Sequence, residues 1–159
     1  MAEIDFKKDD VFKNRKFAYK DQERFENILN KDPFPITVRV EGATTAGNYG
    51  VFFHARMAYE IIYIAESHTV AGSDAGAVTL NIERLSGTEA LDSGDEILVT
   101  AFDLKGTANT VSEKKGTALQ NTKLSPGDRL ALKDSGTLTA VAGVCVTLFI
   151  KPIGKGDYR

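Results

Sequence analysis

From residue 35 onward the chain is built of short alternating runs, and that pattern restricts it to a β architecture. Pro35-Ile36-Thr37-Val38-Arg39-Val40 alternates apolar and polar side chains, the period of a half-buried strand. Residues 49–55 form a short aromatic run, residues 59–65 are β-branched and aromatic, and the aromatics of 49–63 sit inside apolar strands and read as core. Residues 77–85 alternate cleanly, with Val78, Leu80 and Ile82 on one side and Thr79, Asn81 and Glu83 on the other. Residues 96–100, Leu119, residues 129–133 and residues 144–151 complete the set. Turn residues separate the runs at Gly72-Ser73-Asp74, Asp92-Ser93-Gly94, Ser125-Pro126-Gly127-Asp128 and Asp134-Ser135-Gly136. Several short strands with this punctuation predict a sandwich or barrel rather than a βαβ fold. The polar, Gly- and Thr-rich residues 103–120 read as a long loop or a small helix near 109–114.

The first 34 residues differ in kind. They hold eight basic and eight acidic residues, and Pro33-Phe34-Pro35 marks the change, since each proline disfavours helix in the residue before it. Asp21 is a good N-cap, and Phe25, Ile28 and Leu29 share one helical face, so a short helix is expected over 21–30. Phe6, Phe12, Phe17, Tyr19 and Phe25 are spaced through this charged sequence. Left in water, each phenylalanine forgoes about 1.5–3 kcal/mol relative to burial. The segment therefore packs back on its own domain or lies across a neighbour, and these five aromatics are the candidate partner-binding residues. The division is an N-terminal arm over 1–34, a β-sandwich over 35–153 and a tail over 154–159.

Bulk properties exclude several classes. A chain of 159 residues with 42% apolar and 26% charged residues can fold as one domain with a core. The net charge of −2 gives no electrostatic footprint for nucleic acid. No apolar run reaches the roughly 18–20 residues of a membrane span, and the charged opening MAEIDFKKDD is unlike a signal peptide. The single cysteine, Cys145, excludes an intrachain disulfide; it sits in the apolar run 144–150, which reads as a core strand, and is expected to be a buried, inert thiol. His54 and His68 belong to no zinc-binding spacing, and no GxSxG elbow, P-loop or dinucleotide fingerprint is present. Asp92, Asp95 and Glu96 lack the spacing of an EF-hand and read as a polar turn. No catalytic, metal or cofactor site is expected, and the chain reads as a binding or structural module rather than an enzyme.

Three stretches carry a family resemblance. They are Tyr59-Glu60-Ile61-Ile62-Tyr63-Ile64-Ala65-Glu66-Ser67-His68 with the following Gly72–Glu83 segment, the turn and strand Leu124-Ser125-Pro126-Gly127-Asp128-Arg129-Leu130-Ala131-Leu132, and the closing Gly143-Val144-Cys145-Val146-Thr147-Leu148-Phe149-Ile150-Lys151-Pro152. Over about two thirds of its length the chain resembles the capsid decoration, or cement, proteins of tailed bacteriophages and the related head-fibre bases. The resemblance implies a mainly β, jelly-roll-like antiparallel β-sandwich with an extended N-terminal arm. It also implies a homotrimer on the capsid surface, made in the host cytoplasm, with the major capsid protein as partner and neither nucleic acid nor membrane. A carbohydrate- or receptor-binding jelly roll of a tail or head fibre is the alternative, with Asn48, Tyr49 and the 103–120 loop as its candidates. The absence of Trp, a favoured sugar-stacking platform, counts against it. An enzyme of unknown type on a β scaffold is the third reading.

Overall fold

The computed structural model describes residues 32–43 and 50–153. The helix expected over 21–30, the aromatics Phe6, Phe12, Phe17, Tyr19 and Phe25, the glycan candidates Asn48 and Tyr49, and the 154–159 tail lie outside the described residues. The described chain is mainly β, with strands β1 (Phe34–Ala43), β2 (Val51–His54), β3 (Tyr59–Ser67), β4 (Thr79–Leu85), β5 (Asp95–Glu96), β6 (Phe102–Asp103), β7 (Ser112–Lys115), β8 (Lys123–Leu124), β9 (Arg129–Ser135) and β10 (Ala142–Pro152). One 3₁₀ turn, Gly116–Ala118, interrupts them.

The strands form two five-stranded antiparallel sheets. The first runs β1-β10-β3-β7, with β8 also on β3; the second runs β2-β9-β4-β5, with β6 also on β4. The chain crosses between sheets at six of the nine connections between named strands, and β4 with β5 is the one consecutive pair of named strands that hydrogen-bond to each other. Partners are therefore distant in sequence. β1 lies against β10 with Ile36 opposite Leu148 and Val38 opposite Val146, and β10 lies against β3 with Leu148 opposite Ile64.

Both sheets feed one apolar core. β3 and β10 contribute Ile61, Ile64, Val144, Val146, Leu148 and Ile150 from the first sheet; β4 and β9 contribute Leu80, Ile82, Leu130 and Leu132 from the second. Each such side chain contributes about 1.5–3 kcal/mol on burial. Ile36, Val38 and Val40 of β1 and Phe52 and Phe53 of β2 are only half-buried against this core, because both strands lie at sheet edges. Tyr59 meets the rings of Phe34 and Phe53 edge-on at 5.8 and 5.6 Å, joining β1, β2 and β3. Gly136 closes the turn after β9 with φ +89, and a Cβ there would stand 1.9 Å from the Ala77 carbonyl oxygen, so only glycine fits.

Two local expectations are corrected. Residues 109–114 are not a helix: Asn109 takes a left-handed φ of 60, and Ser112–Lys115 instead pairs with β3 from Tyr63 to Glu66. An edge strand can carry so polar a sequence because little of it faces the core. The run at 96–100 keeps strand pairing only at Asp95–Glu96, since Ile97 and Leu98 turn into the core, where Ile97 N–H donates to Ile82 O and Leu98 bridges to Leu119.

β4 is also buried on its polar side. Asn81 and Glu83 are 5% and 0% exposed, beneath the segment between β4 and Leu98. Asn81 Oδ1 accepts from Ile82 N and Leu98 N (2.8 and 3.0 Å), and its Nδ2 donates to Leu98 O and Glu96 Oε2. Glu83 accepts from the backbone N–H groups of Asp92 and Gly94 at 2.9 and 3.1 Å. These buried polar groups are satisfied, which removes the penalty of taking them from water. Replacing Asn81 with Leu strands the Leu98 N–H and is expected to cost about 1–3 kcal/mol, read as a lower urea midpoint at unchanged m-value.

Candidate interaction surface

Strand alternation decides which residues of the first sheet look outward. In β10, Val144, Val146, Leu148 and Ile150 point in, so Cys145, Thr147 and Phe149 point out. Phe149 lies opposite Pro35 of β1 and Tyr63 of β3, and Tyr63 lies opposite Lys115 of β7. One outward row thus reads Pro35, Phe149, Tyr63, Lys115. The Tyr63 and Phe149 rings meet edge-on at 5.6 Å and 79°. Beside them the register of β3 skips Ile62, a bulge that leaves this side chain without a cross-strand partner. Pro33, Ile62, Tyr63 and Phe149 line an open concavity of about 620 Å³. Phe149 is 36% exposed, high for a phenylalanine in a central strand.

Polar groups border this apolar band. Glu113 accepts a hydrogen bond from the Tyr63 hydroxyl; that bond, then partial burial and the nearby carboxylate charge, hold the Tyr63 phenol above its ordinary value. On one flank Lys151 pairs with Glu60 at 2.9 Å, and on the other the Thr37 and Thr147 hydroxyls meet at 3.0 Å. An apolar centre with a charged and polar rim is the anatomy of a protein-binding patch.

The aromatics of residues 49–63 were expected to be core. Phe52, Phe53 and Tyr59 do pack against it, but Tyr63 faces outward. Cys145 is not the buried thiol expected from its apolar run: it is half-buried on the outward face, opposite Arg39 and Ser67. Period-two counting from Leu148 and Ile150 places Cys145 and Phe149 on the other face, so both were within reach of the sequence.

His54 is exposed at the end of β2. His68 is buried with Glu66, its Nδ1 2.9 Å from Glu66 Oε1. No cluster of three or more potential metal ligands occurs among the described residues. Asp92 lies in the turn before β5 and gives its N–H to Glu83, whereas Asp95 and Glu96 form β5 itself, where Asp95 pairs with Arg84 and Glu96 with Lys133 at 3.1 Å. No helix among the described residues is long and apolar enough to cross a membrane.

Replacing Glu113 with Gln removes the carboxylate that disfavours the Tyr63 phenolate. The Tyr63 titration, followed by NMR of the ring carbon bearing the hydroxyl, is expected to begin above the ordinary phenol value of about 10 and to move down in the variant.

No protein-family model matches the chain, and no curated protein matches it in sequence. Among solved structures it is similar to a chain from the capsid of Ralstonia phage GP4, at 15% identity and a TM-score of 0.56, over 78% of this chain and 86% of that one. At that identity the likeness is one of fold. An alignment to a chain of the disulfide-linked pili of Bacillus endospore appendages, at 15% identity over 79% of this chain and 94% of that one, has a TM-score of 0.27 and carries no argument.

Proposed function

We propose that this chain is a non-catalytic virion structural protein that decorates and stabilises a phage capsid by binding its major capsid protein, as a homotrimer. The observation that carries the reading is the fold shared with a chain of a phage capsid over most of both chains. Strand order supports the jelly-roll form of the sandwich. The principal strands β1-β10-β3-β7 and β2-β9-β4-β5 follow the two interleaved four-stranded sheets that a doubled Greek key produces. The outward band of Phe149, Tyr63 and Ile62 supplies an anchor of the kind protein partners bury, and the spaced aromatics Phe6, Phe12, Phe17, Tyr19 and Phe25 supply a second.

The alternative, a carbohydrate- or receptor-binding module of a tail or head fibre, draws on the same Tyr63–Phe149 pair, since half-exposed aromatic rings also stack on sugars. Glycan binding that is lost in Tyr63→Ala, without any affinity for particles, would favour it.

The test is co-sedimentation with particles of the phage that encodes the chain. Deleting residues 1–32, which leaves β1 and Pro33 in place, is expected to abolish binding while the β-domain keeps its circular dichroism and cooperative unfolding. Phe149→Ser is expected to weaken binding about tenfold or more, as loss of a central aromatic anchor does. Full-length chain that stays in the supernatant with intact particles overturns the capsid reading, and a deletion variant that binds as well as the full chain overturns the role of the arm.

A further inference from the structure

Glu66 and His68 are buried together at the end of β3, at 1% and 3% exposure. Glu66 lies opposite Val146 of β10 and therefore points to the inner face. The His68 ring is bounded by oxygen on both sides, with Nδ1 2.9 Å from Glu66 Oε1 and Nε2 3.2 Å from the carbonyl oxygen of Gly106. Gly106 belongs to the crossover that carries the chain from β6 in the second sheet to β7 in the first. In the same crossover, Asn109 N–H donates to the His68 backbone oxygen at 2.7 Å.

A neutral imidazole has one N–H and can donate to only one of its two oxygen neighbours. Both contacts form when imidazolium faces a carboxylate, or when a protonated Glu66 donates to Nδ1 while Nε2–H donates to Gly106. Either arrangement holds one proton more than a carboxylate beside a neutral ring. Removing that proton breaks one contact. With the remaining N–H kept by the carboxylate, the Nε2 lone pair faces the Gly106 carbonyl.

The surroundings leave the proton to this pair. Ser112 of β7 and Val146 of β10 lie opposite Glu66. In the crossover, Asp103 accepts from Lys105 N–H at 2.9 Å, and the Lys105 ammonium donates to Gly76 O at 3.1 Å. The Lys114 ammonium, the inward charge of β7, stands 5.7 Å from the centre of the Phe102 ring. Burial raises the Glu66 carboxyl above its usual value, and the hydrogen bond and charge of His68 oppose that rise. Among the described residues Glu66 Oε2 has no hydrogen-bond partner, so there an ionised Glu66 leans on His68 alone.

We propose that Glu66 and His68 form a proton-dependent clamp on the β6–β7 crossover, closed while the pair holds its proton and released at Gly106 when the proton is lost. A free imidazole loses its proton at about pH 6.5.

Amide hydrogen exchange on the full-length chain tests this, with the Asn109 amide as reporter and Ile82 and Leu132 as controls in the core strands. After correction for intrinsic rates, Asn109 protection is expected to be at least about tenfold higher near pH 5.5 than near pH 8.5, with the controls unchanged. His68→Gln, uncharged at both pH values, is expected to lose the step. A flat Asn109 profile in the unmodified chain overturns the clamp without recourse to any variant, as does an equal step in a His68→Gln protein whose control amides stay protected.

Discussion

Strand β10 is the element on which the domain depends. It is hydrogen-bonded on both sides, to β1 and to β3, and it supplies four of the core side chains. Without it, β1 has no partner among the described strands and the floor of the core is gone. Bringing residues 34–43 beside 142–152 closes a long loop, at an entropic cost that grows only slowly with length. The shared core offsets that cost, and only when both sheets are present, because the inward side chains of β10 are covered from the opposite layer. The crossing topology therefore makes the two sheets a single cooperative unit.

The second sheet solves a different problem. Its strand β4 has no solvent face, and the segment covering its polar side brings mostly backbone amides rather than apolar bulk. Asn81 and Glu83 act as adaptors there, turning side-chain oxygens into acceptors for Leu98, Asp92 and Gly94. A loop held this way is fixed by direction as well as by contact. It then delivers Ile97 and Leu98 into the core as a strand could not, since consecutive strand residues point to opposite faces.

Strand positions were legible because period two survives in residues 35–40, 77–85 and 144–151. Pairing was not legible, because alternation says which face a residue takes and nothing about which strand lies beside it. Polar edge pieces such as Ser112–Lys115 escaped notice because an edge strand does not need an apolar face. The buried carboxyls escaped for a related reason: Glu66 and Glu83 sit in register with inward or covered positions, but acidic residues are so rarely buried that composition argues the other way. At the candidate surface, Phe149 lay inside an apolar run and was read as core with its neighbours, although counting by twos from Leu148 sets it outside. The aromatics of the arm fall beyond the described residues, so their role rests on the sequence alone.

Cys145 gives the outward face of the first sheet one more property. It is the chain's sole cysteine, half-buried on the face that carries Phe149 and four positions before it along the same strand. A thiol with no second thiol in its own chain can be oxidised to a disulfide only by joining two molecules. Any such bond would record, covalently, what comes to rest against that sheet. The strand that completes the core thus also carries, on its other side, a chemical witness to the company the protein keeps.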